Sequence, residues 1–87
     1  MKDVLMFVTS WCPHCRRALK YMEQLREENP AFQSVRVQVI DEEEERELAG
    51  RYDYYLVPTF YVAGEKVHEG VPSLESVRRV FQRALEE

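Results

Sequence analysis

The sequence lacks the features that would direct the protein to nucleic acid or into a membrane. Its formal net charge is −4, whereas nucleic acid and anionic membrane surfaces attract basic patches. No apolar run approaches the roughly 20 residues needed to span a bilayer. The apolar run near the N-terminus is too short for a signal peptide, and Trp-Cys-Pro follows it where small residues would mark a cleavage site. We therefore expect a cytoplasmic protein with neither nucleic-acid nor membrane partners.

Cysteine is also scarce: the chain has two, Cys12 and Cys15, and two residues separate them. In a cytoplasmic protein such a pair is more often redox-active or metal-binding than a permanent structural bridge. A structural zinc normally takes four Cys or His ligands, and only His14 and His68 remain to supply them. We therefore predict no metal site and interpret the pair as a reactive dithiol, with an inert buried pair as the alternative.

The periodicity of apolar residues predicts the element order β-α-β-α-β-β-α within one domain, residues 1–87. The predicted strands are Val4–Thr9, Phe32–Ile40, Thr59–Ala63 and Val67–Glu69. The predicted helices run from Arg16 to Glu28, from the cap Asp41 to Tyr52 or Asp53, and from the cap Ser73 to Leu85. A strand–helix–strand crossover followed by a hairpin implies a mixed four-stranded sheet with helices on both faces. Its first two strands should be parallel and its last two antiparallel.

Two patterns describe the helices that follow the cysteines. The first helix has one apolar face that also carries Cys15, and its other members are Ala18, Leu19, Met22 and Leu25. The acidic run 42–45 precedes the apolar positions of the second helix. We interpret it as a solvated first helical turn whose carboxylates complement the macrodipole, in preference to a metal or partner site. Asp41 with Glu44 gives a capping-box-like pattern at its start.

Three segments resemble the thioredoxin superfamily and, within it, the small glutaredoxin-like proteins. They are Trp11-Cys12-Pro13-His14-Cys15 after the first strand, Val57-Pro58-Thr59-Phe60 before the third, and Gly70 before the last helix. A lone Cys-x-x-Cys is a weak signal, but a Val-Pro-Thr about forty-five residues later and this element order make it specific. The resemblance implies an α/β, thioredoxin-like (glutaredoxin-type) fold, with a mixed four-stranded sheet flanked by three helices.

The expected position of the dithiol at a helix start assigns its chemistry. Unpaired N–H groups and the macrodipole would stabilise a thiolate at Cys12, the expected nucleophile. Cys15, one turn further on the apolar side, is the expected resolving thiol. Pro13 suits a first helical turn, and a protonated His14 would lower the pKa of Cys12. A stabilised reduced form makes a stronger oxidant, so we expect a potential more oxidising than that of thioredoxin. Pro13-His14 is also the inner dipeptide typical of DsbA-type oxidants in this superfamily.

The resemblance also implies a substrate-binding groove beside the dithiol. The Val57–Pro58 peptide bond is expected to be cis, which would expose the Val57 backbone for strand-like pairing with a substrate. Trp11 is expected to form one wall of this groove, with a partly buried packing residue as the alternative. Gly70 begins the segment that in glutaredoxins helps to hold glutathione.

The function implied by the resemblance is a thiol-disulfide oxidoreductase, a monomer without bound cofactor that serves electron transport and cell redox homeostasis. Its substrates would be protein or small-molecule disulfides. The chain has Gly70-Val71-Pro72-Ser73 where glutaredoxins usually have Gly-Gly-x-Asp. Small glutaredoxin-like proteins that receive electrons from thioredoxin reductase also have a Gly followed closely by Pro. The donor is therefore either glutathione or thioredoxin reductase.

Two other classes of function remain as alternatives. One is a metal or iron–sulfur carrier, because some glutaredoxins bridge a cluster between two subunits. The proline next to Cys12 and the missing Gly-Gly-x-Asp disfavour it. The other is a non-catalytic thioredoxin-like interaction module, although such modules often lose a cysteine and this chain has both.

Overall fold

A computed structural model of the protein describes residues 1–86 and confirms the predicted element order. The strands are β1 (Val4–Val8), β2 (Val37–Asp41), β3 (Thr59–Val62) and β4 (Glu65–Glu69). The helices are α1 (Pro13–Glu28), α2 (Arg46–Ala49) and α3 (Leu74–Leu85). The sheet order is β2-β1-β3-β4, with β1 parallel to β2 and antiparallel to β3, and with β3 and β4 antiparallel. None of the helices within residues 1–86 is long and apolar enough to cross a membrane.

The alternation of side chains along β1 divides the hydrophobic core into two layers. Met6 and Val8 belong to the larger layer, which contains the buried faces of α1 and α3. Phe7 belongs to the smaller layer on the other face of the sheet, with residues from α2 and the segment after it. Its ring centroid lies 4.9 Å from that of Tyr52 and 4.8 Å from that of Tyr54. The prediction of helices on both faces is confirmed.

The predicted second strand, Phe32–Ile40, begins too early. Pro30–Ser34 forms a 3₁₀ helix, and β2 starts only at Val37. The Asn29 side chain accepts a hydrogen bond from the next free backbone N–H, that of Ala31, at 3.0 Å. Together with a proline at the first helical position, this cap favours a helical turn where strand alternation alone predicted extended backbone.

The predicted second helix is also wrong at both ends. α2 comprises only Arg46–Ala49, and residues 42–44 form a turn. Asp41 is the last residue of β2, and its carboxylate accepts a hydrogen bond from the Glu43 N–H at 2.9 Å. This side chain therefore closes an Asx turn rather than capping a helix. The acidic run is not the first turn of a helix.

The other elements follow their local signals, with one exception. α1 begins at Pro13 and buries Cys15, Ala18, Met22 and Leu25, but Leu19 is 39% exposed and does not belong to that face. The cap of α3 is confirmed, because the Ser73 side chain accepts the Ser76 N–H at 3.0 Å.

The hairpin between β3 and β4 is tighter than predicted. Ala63 and Gly64 both have positive φ, 50° and 83°, as a two-residue type I′ turn requires. β4 therefore begins at Glu65, two residues before the predicted Val67.

Candidate active site

The two cysteines lie at the edge of the sheet where the parallel strands β1 and β2 end. The loop after β1 leads directly into α1, and Cys12 is the N-cap of that helix, with φ −84° and ψ 118°. Its carbonyl oxygen accepts the Cys15 N–H at 3.1 Å, and its own N–H donates to the Thr9 carbonyl at 3.5 Å. Pro13 is the first residue of the helix. The predicted location of the dithiol is confirmed.

The two thiols differ in electrostatic environment more than in exposure. Cys12 is 7% exposed and Cys15 is 3% exposed, so burial alone does not distinguish them. Burial opposes ionisation of Cys12, but hydrogen bonds from the backbone N–H groups of Cys15 and His14 and from the Cys15 thiol lower the pKa of Cys12 below its ordinary value. Burial raises the pKa of Cys15 to about 11, and the negative charges of Cys12 and Glu42 contribute in the same direction. Cys12 is thus the thiol that ionises first.

The loop before β3 faces Cys12. The Val57–Pro58 peptide bond is cis, as expected. The Val57 carbonyl oxygen lies 4.0 Å from the Cys12 sulfur, at the long limit of a sulfur hydrogen bond. Pro58 is buried, and its carbonyl accepts the Gly70 N–H at 2.9 Å. The structure therefore brings the predicted residues Cys12, Val57, Pro58 and Gly70 into one continuous set of contacts.

Gly70 occupies a backbone conformation that favours glycine. Its φ is 95°, and a Cβ built on it would lie 3.2 Å from Leu56 Cδ1. Its carbonyl lies 3.1 Å from His68 Nε2, and the His68 ring packs near Phe60. These contacts indicate a structural role for His68.

Trp11 is 68% exposed, which excludes the alternative of a partly buried packing residue. Its indole N–H donates to Glu43 Oε1 at 3.1 Å. The neighbouring Glu42 accepts a hydrogen bond from the Tyr54 hydroxyl at 2.8 Å. Sequence reasoning missed both carboxylates, because it treated the acidic run as a solvated helical turn. The signal that could have found them is strand order: Val8 pairs with Asp41, so residues following the parallel strand β2 lie beside the cysteine loop.

His14 makes a contact that sequence reasoning did not foresee. Its Nδ1 lies 3.1 Å from Arg17 Nη2. A guanidinium only donates, so Nδ1 is the acceptor in this contact. The charged Arg17 side chain therefore lies beside the His14 ring at the start of α1.

Residues 1–86 contain no group of three or more His, Cys, Asp or Glu side chains arranged to hold a metal ion. Cys12 and Cys15 lie among backbone carbonyls, those of Thr9 and Val57, beside the exposed Trp11 side chain. The reactive groups of this arrangement are the two thiols.

The fold is that of the thioredoxins. A solved point mutant of thioredoxin from Halobacterium salinarum is 26% identical, covers 99% of this chain and 76% of its own, and superposes with a TM-score of 0.70. Fasciola hepatica thioredoxin is 24% identical, with 95% and 80% of the chains covered and a TM-score of 0.69. A malarial protein superposes with a TM-score of 0.74 over 99% of both chains, at 17% identity.

Sequence comparison then identifies the family. The thioredoxin of Methanocaldococcus jannaschii is 29% identical over 80 residues, which are 92% of each chain. The family model described as Glutaredoxin matches residues 4–67. The chain belongs to the glutaredoxin family, within the thioredoxin superfamily. Family and fold together support a thioredoxin-like redox function.

Proposed function

We propose that the protein is a thiol-disulfide oxidoreductase that exchanges disulfides through Cys12 and Cys15. The observation that carries this proposal is the opposite perturbation of two thiols one helical turn apart. The pKa of Cys12 at the cap of α1 is lowered, and that of the buried Cys15 is raised to about 11. Such a pair combines an ionised nucleophile with a protonated second thiol.

In the first step the Cys12 thiolate attacks one sulfur of a substrate disulfide. A bond forms between Cys12 and that sulfur, the substrate S–S bond breaks, and the other substrate sulfur leaves as a thiolate that takes a proton from solvent. The lowered pKa of Cys12 increases the thiolate fraction available for this attack. The product is a mixed disulfide on Cys12.

In the second step Cys15 resolves the mixed disulfide. Cys15 loses its proton and attacks the Cys12 sulfur, which releases the second substrate sulfur as a thiolate that is then protonated. The two cysteines are oxidised to a disulfide, and the substrate gains two electrons and two protons. Cys15 lies one helical turn from Cys12, and its raised pKa keeps it protonated towards outside disulfides, so the disulfide with which it reacts is the adjacent one on Cys12.

Exposed apolar side chains provide the surface for the substrate. Trp11, Leu56 and Val71 are 68%, 59% and 63% exposed. Trp11 adjoins Cys12, Leu56 adjoins Val57, and Val71 adjoins Gly70, which lies against Leu56. A disulfide-bearing polypeptide would lie across these side chains and pair with the Val57 backbone.

A two-electron donor must reduce the Cys12–Cys15 disulfide again. Two molecules of glutathione or the dithiol of thioredoxin reductase would supply the electrons. The test incubates the oxidised protein separately with glutathione plus its reductase and with thioredoxin reductase, and follows NADPH consumption with insulin as substrate. Activity in one arm identifies the donor class. Failure of both systems, and of dithiothreitol, to support reduction would contradict the proposed function.

The same preparation distinguishes the alternatives. Visible absorption and iron after anaerobic purification would indicate an iron–sulfur carrier. Insulin reduction that survives in a Cys12→Ser variant would show that these cysteines are not the redox centre. A stable protein that binds partners but reduces no disulfide would be an interaction module.

A further inference from the structure

The segment that presents Val57 to Cys12 has little support from regular secondary structure. Residues 53–58 lie between α2 and β3 and form neither helix nor strand. Tyr55 is 91% exposed and Leu56 is 59% exposed, so burial of these side chains does not hold them in place. Another interaction must fix the backbone of this segment if the Val57 carbonyl is to stay near the Cys12 sulfur.

The Thr59 hydroxyl donates to the Leu56 carbonyl and the Tyr61 hydroxyl to the Asp53 carbonyl. Glu69 supplies the interaction that holds the amides of the segment. It is the last residue of β4 and pairs with Thr59, so its side chain begins next to the end of the segment. One carboxylate oxygen, Oε2, accepts hydrogen bonds from the backbone N–H groups of both Tyr55 and Leu56, the latter at 2.9 Å. Two consecutive amides just before Val57 thus converge on one side chain.

A cation completes this arrangement. Lys66 Nζ donates to the other oxygen of Glu69, Oε1, at 2.8 Å, and also to the Asp53 carbonyl at 3.2 Å. Hydrogen bonding to Lys66 and to the two amides holds the pKa of Glu69 at about 2, so the carboxylate is ionised at neutral pH. An ionised carboxylate accepts at both oxygens and makes stronger hydrogen bonds than a neutral amide does.

We propose that Glu69 is a positioning residue for substrate binding. Its hydrogen bonds to the Tyr55 and Leu56 amides hold the Val57 backbone beside Cys12, where a polypeptide substrate can pair with it. The inference rests on the proposed function, since it concerns the same site. It predicts an effect on binding of an extended substrate rather than on the reactivity of the thiols. A small disulfide can reach Cys12 without strand-like pairing, so its reduction depends less on the hydrogen bonds of Glu69 to the two amides.

The test compares Glu69→Gln with Glu65→Gln. Both replace a carboxylate of β4 by an amide, but Glu65 pairs with Arg83 on α3 and not with the 53–58 segment. For each variant kcat and KM are measured with insulin and with hydroxyethyl disulfide. We expect Glu69→Gln to raise KM for insulin about fivefold with a smaller change for hydroxyethyl disulfide, and Glu65→Gln to leave the ratio of the two kcat/KM values unchanged.

A second measurement reports directly on the hydrogen bonds between Glu69 and the two amides. Amide hydrogen exchange at Tyr55 and Leu56 should accelerate in Glu69→Gln and stay unchanged in Glu65→Gln. Lys66→Gln removes the cation but leaves both amides with their carboxylate. It should therefore change the ratio of kcat/KM for insulin to kcat/KM for hydroxyethyl disulfide less than Glu69→Gln does. If Lys66→Gln has the larger effect, the contact to Asp53 positions the segment and the assignment to Glu69 is wrong.

The possible outcomes separate this inference from the function on which it rests. A wild-type protein that reduces neither disulfide overturns the proposed function and this inference together. An active wild type whose Glu69→Gln variant has the same substrate ratio as Glu65→Gln overturns the inference alone. Equal losses with both substrates, together with a lower Tm, would show that Glu69 only stabilises the fold.

Discussion

The Cys12 sulfur lies 4.0 Å from the carbonyl oxygen of Val57, a residue 45 positions further along the chain. The register of the sheet produces this proximity. β1 leads into Cys12, β3 follows Pro58, and Phe7 near the end of β1 pairs with Thr59 at the start of β3. Because the strands are antiparallel, the segment leaving β1 and the segment entering β3 meet at one edge of the sheet. Cys12 and the Val57 backbone that faces it are therefore positioned by the same pair of strands.

Replacement of each cysteine should stop the reaction at a different step. Cys12→Ser removes the nucleophile and should lower insulin reduction by at least about 100-fold, since no other thiol ionises as readily in the site. Cys15→Ser leaves the first attack intact but prevents resolution, so a mixed disulfide on Cys12 should accumulate. Mass spectrometry of the protein incubated with a disulfide substrate detects that adduct. Its absence in Cys15→Ser, or its presence in Cys12→Ser, would contradict the assigned order.

The two thiols should also differ in the pH dependence of alkylation. The thiolate is the reactive form, so the rate for each cysteine rises with pH through its pKa. Cys12, whose pKa is lowered, should react with iodoacetamide at a lower pH than an ordinary thiol, whereas Cys15 should need a pH near 11. Peptide mapping after timed alkylation measures both rates.

A variant separates the causes of the high pKa of Cys15. In Cys12→Ser the charge of the neighbouring thiolate is absent, so the pKa of Cys15 should fall. It should remain above the ordinary thiol value, because burial is the largest contribution. If Cys15 in this variant is alkylated with the pH dependence of an ordinary thiol, the charge of Cys12, and not burial, is the main cause of the raised pKa of Cys15.

The sequence predicted those parts of the structure that depend on local signals. The strand β1 and the cap at Ser73 each have a residue pattern sufficient to define them, whereas the β3–β4 hairpin was predicted with a longer turn than the two residues Ala63 and Gly64. The acidic run was misinterpreted because its contacts are with residues distant in the sequence. Glu42 accepts a hydrogen bond from Tyr54, and Glu43 accepts one from Trp11.

The hydrogen bonds of Glu69 to the Tyr55 and Leu56 amides could not be predicted from the sequence for a related reason. Nothing in its neighbourhood marks it as different from Glu65 on the same strand. Only the pairing of Glu69 with Thr59 places it beside the Tyr55 and Leu56 amides. Residues that act on a site through strand register have no local sequence signal, whereas the dithiol and the proline loop have one.

The reduction potential should be more oxidising than that of thioredoxin. Stabilising the Cys12 thiolate favours the reduced dithiol, which makes the disulfide form a stronger oxidant, and thioredoxin at about −270 mV is the reference. His14→Ala should lower the potential by roughly 10–20 mV, which corresponds to about 0.5–1 kcal/mol for a two-electron couple. Equilibration with a glutathione redox buffer measures both quantities.

The contact between His14 and Arg17 offers a further variant for the same measurement. If the charge of Arg17 acts on the dithiol through His14, Arg17→Gln should shift the potential in the same direction as His14→Ala. Lys20→Gln, which removes an exposed cation further along α1, is the matched control and should leave the potential unchanged. A wild-type reduction potential at or below that of thioredoxin would refute the expectation that this protein is the stronger oxidant.

Gly70 and Gly64 provide a matched pair that separates backbone strain from a contact at the site. Both have positive φ, 95° and 83°, but only an alanine at Gly70 would meet another residue, Leu56 Cδ1 at 3.2 Å. Gly64→Ala and Gly70→Ala should each reduce the free energy of unfolding by about 1 kcal/mol, the cost of a left-handed conformation for a residue with a Cβ. The two costs should be similar, because Leu56 is largely exposed and its side chain can rotate away.

Their effects on activity should differ. Rotation of Leu56 changes the apolar surface next to Val57, so Gly70→Ala should raise KM for insulin, whereas Gly64→Ala lies in the β3–β4 turn and should not. Urea denaturation and steady-state kinetics on both variants measure the two effects independently. Equal kinetics for the two variants would show that the Gly70–Leu56 contact takes no part in binding the substrate, and that glycine is required at position 70 for its backbone conformation alone.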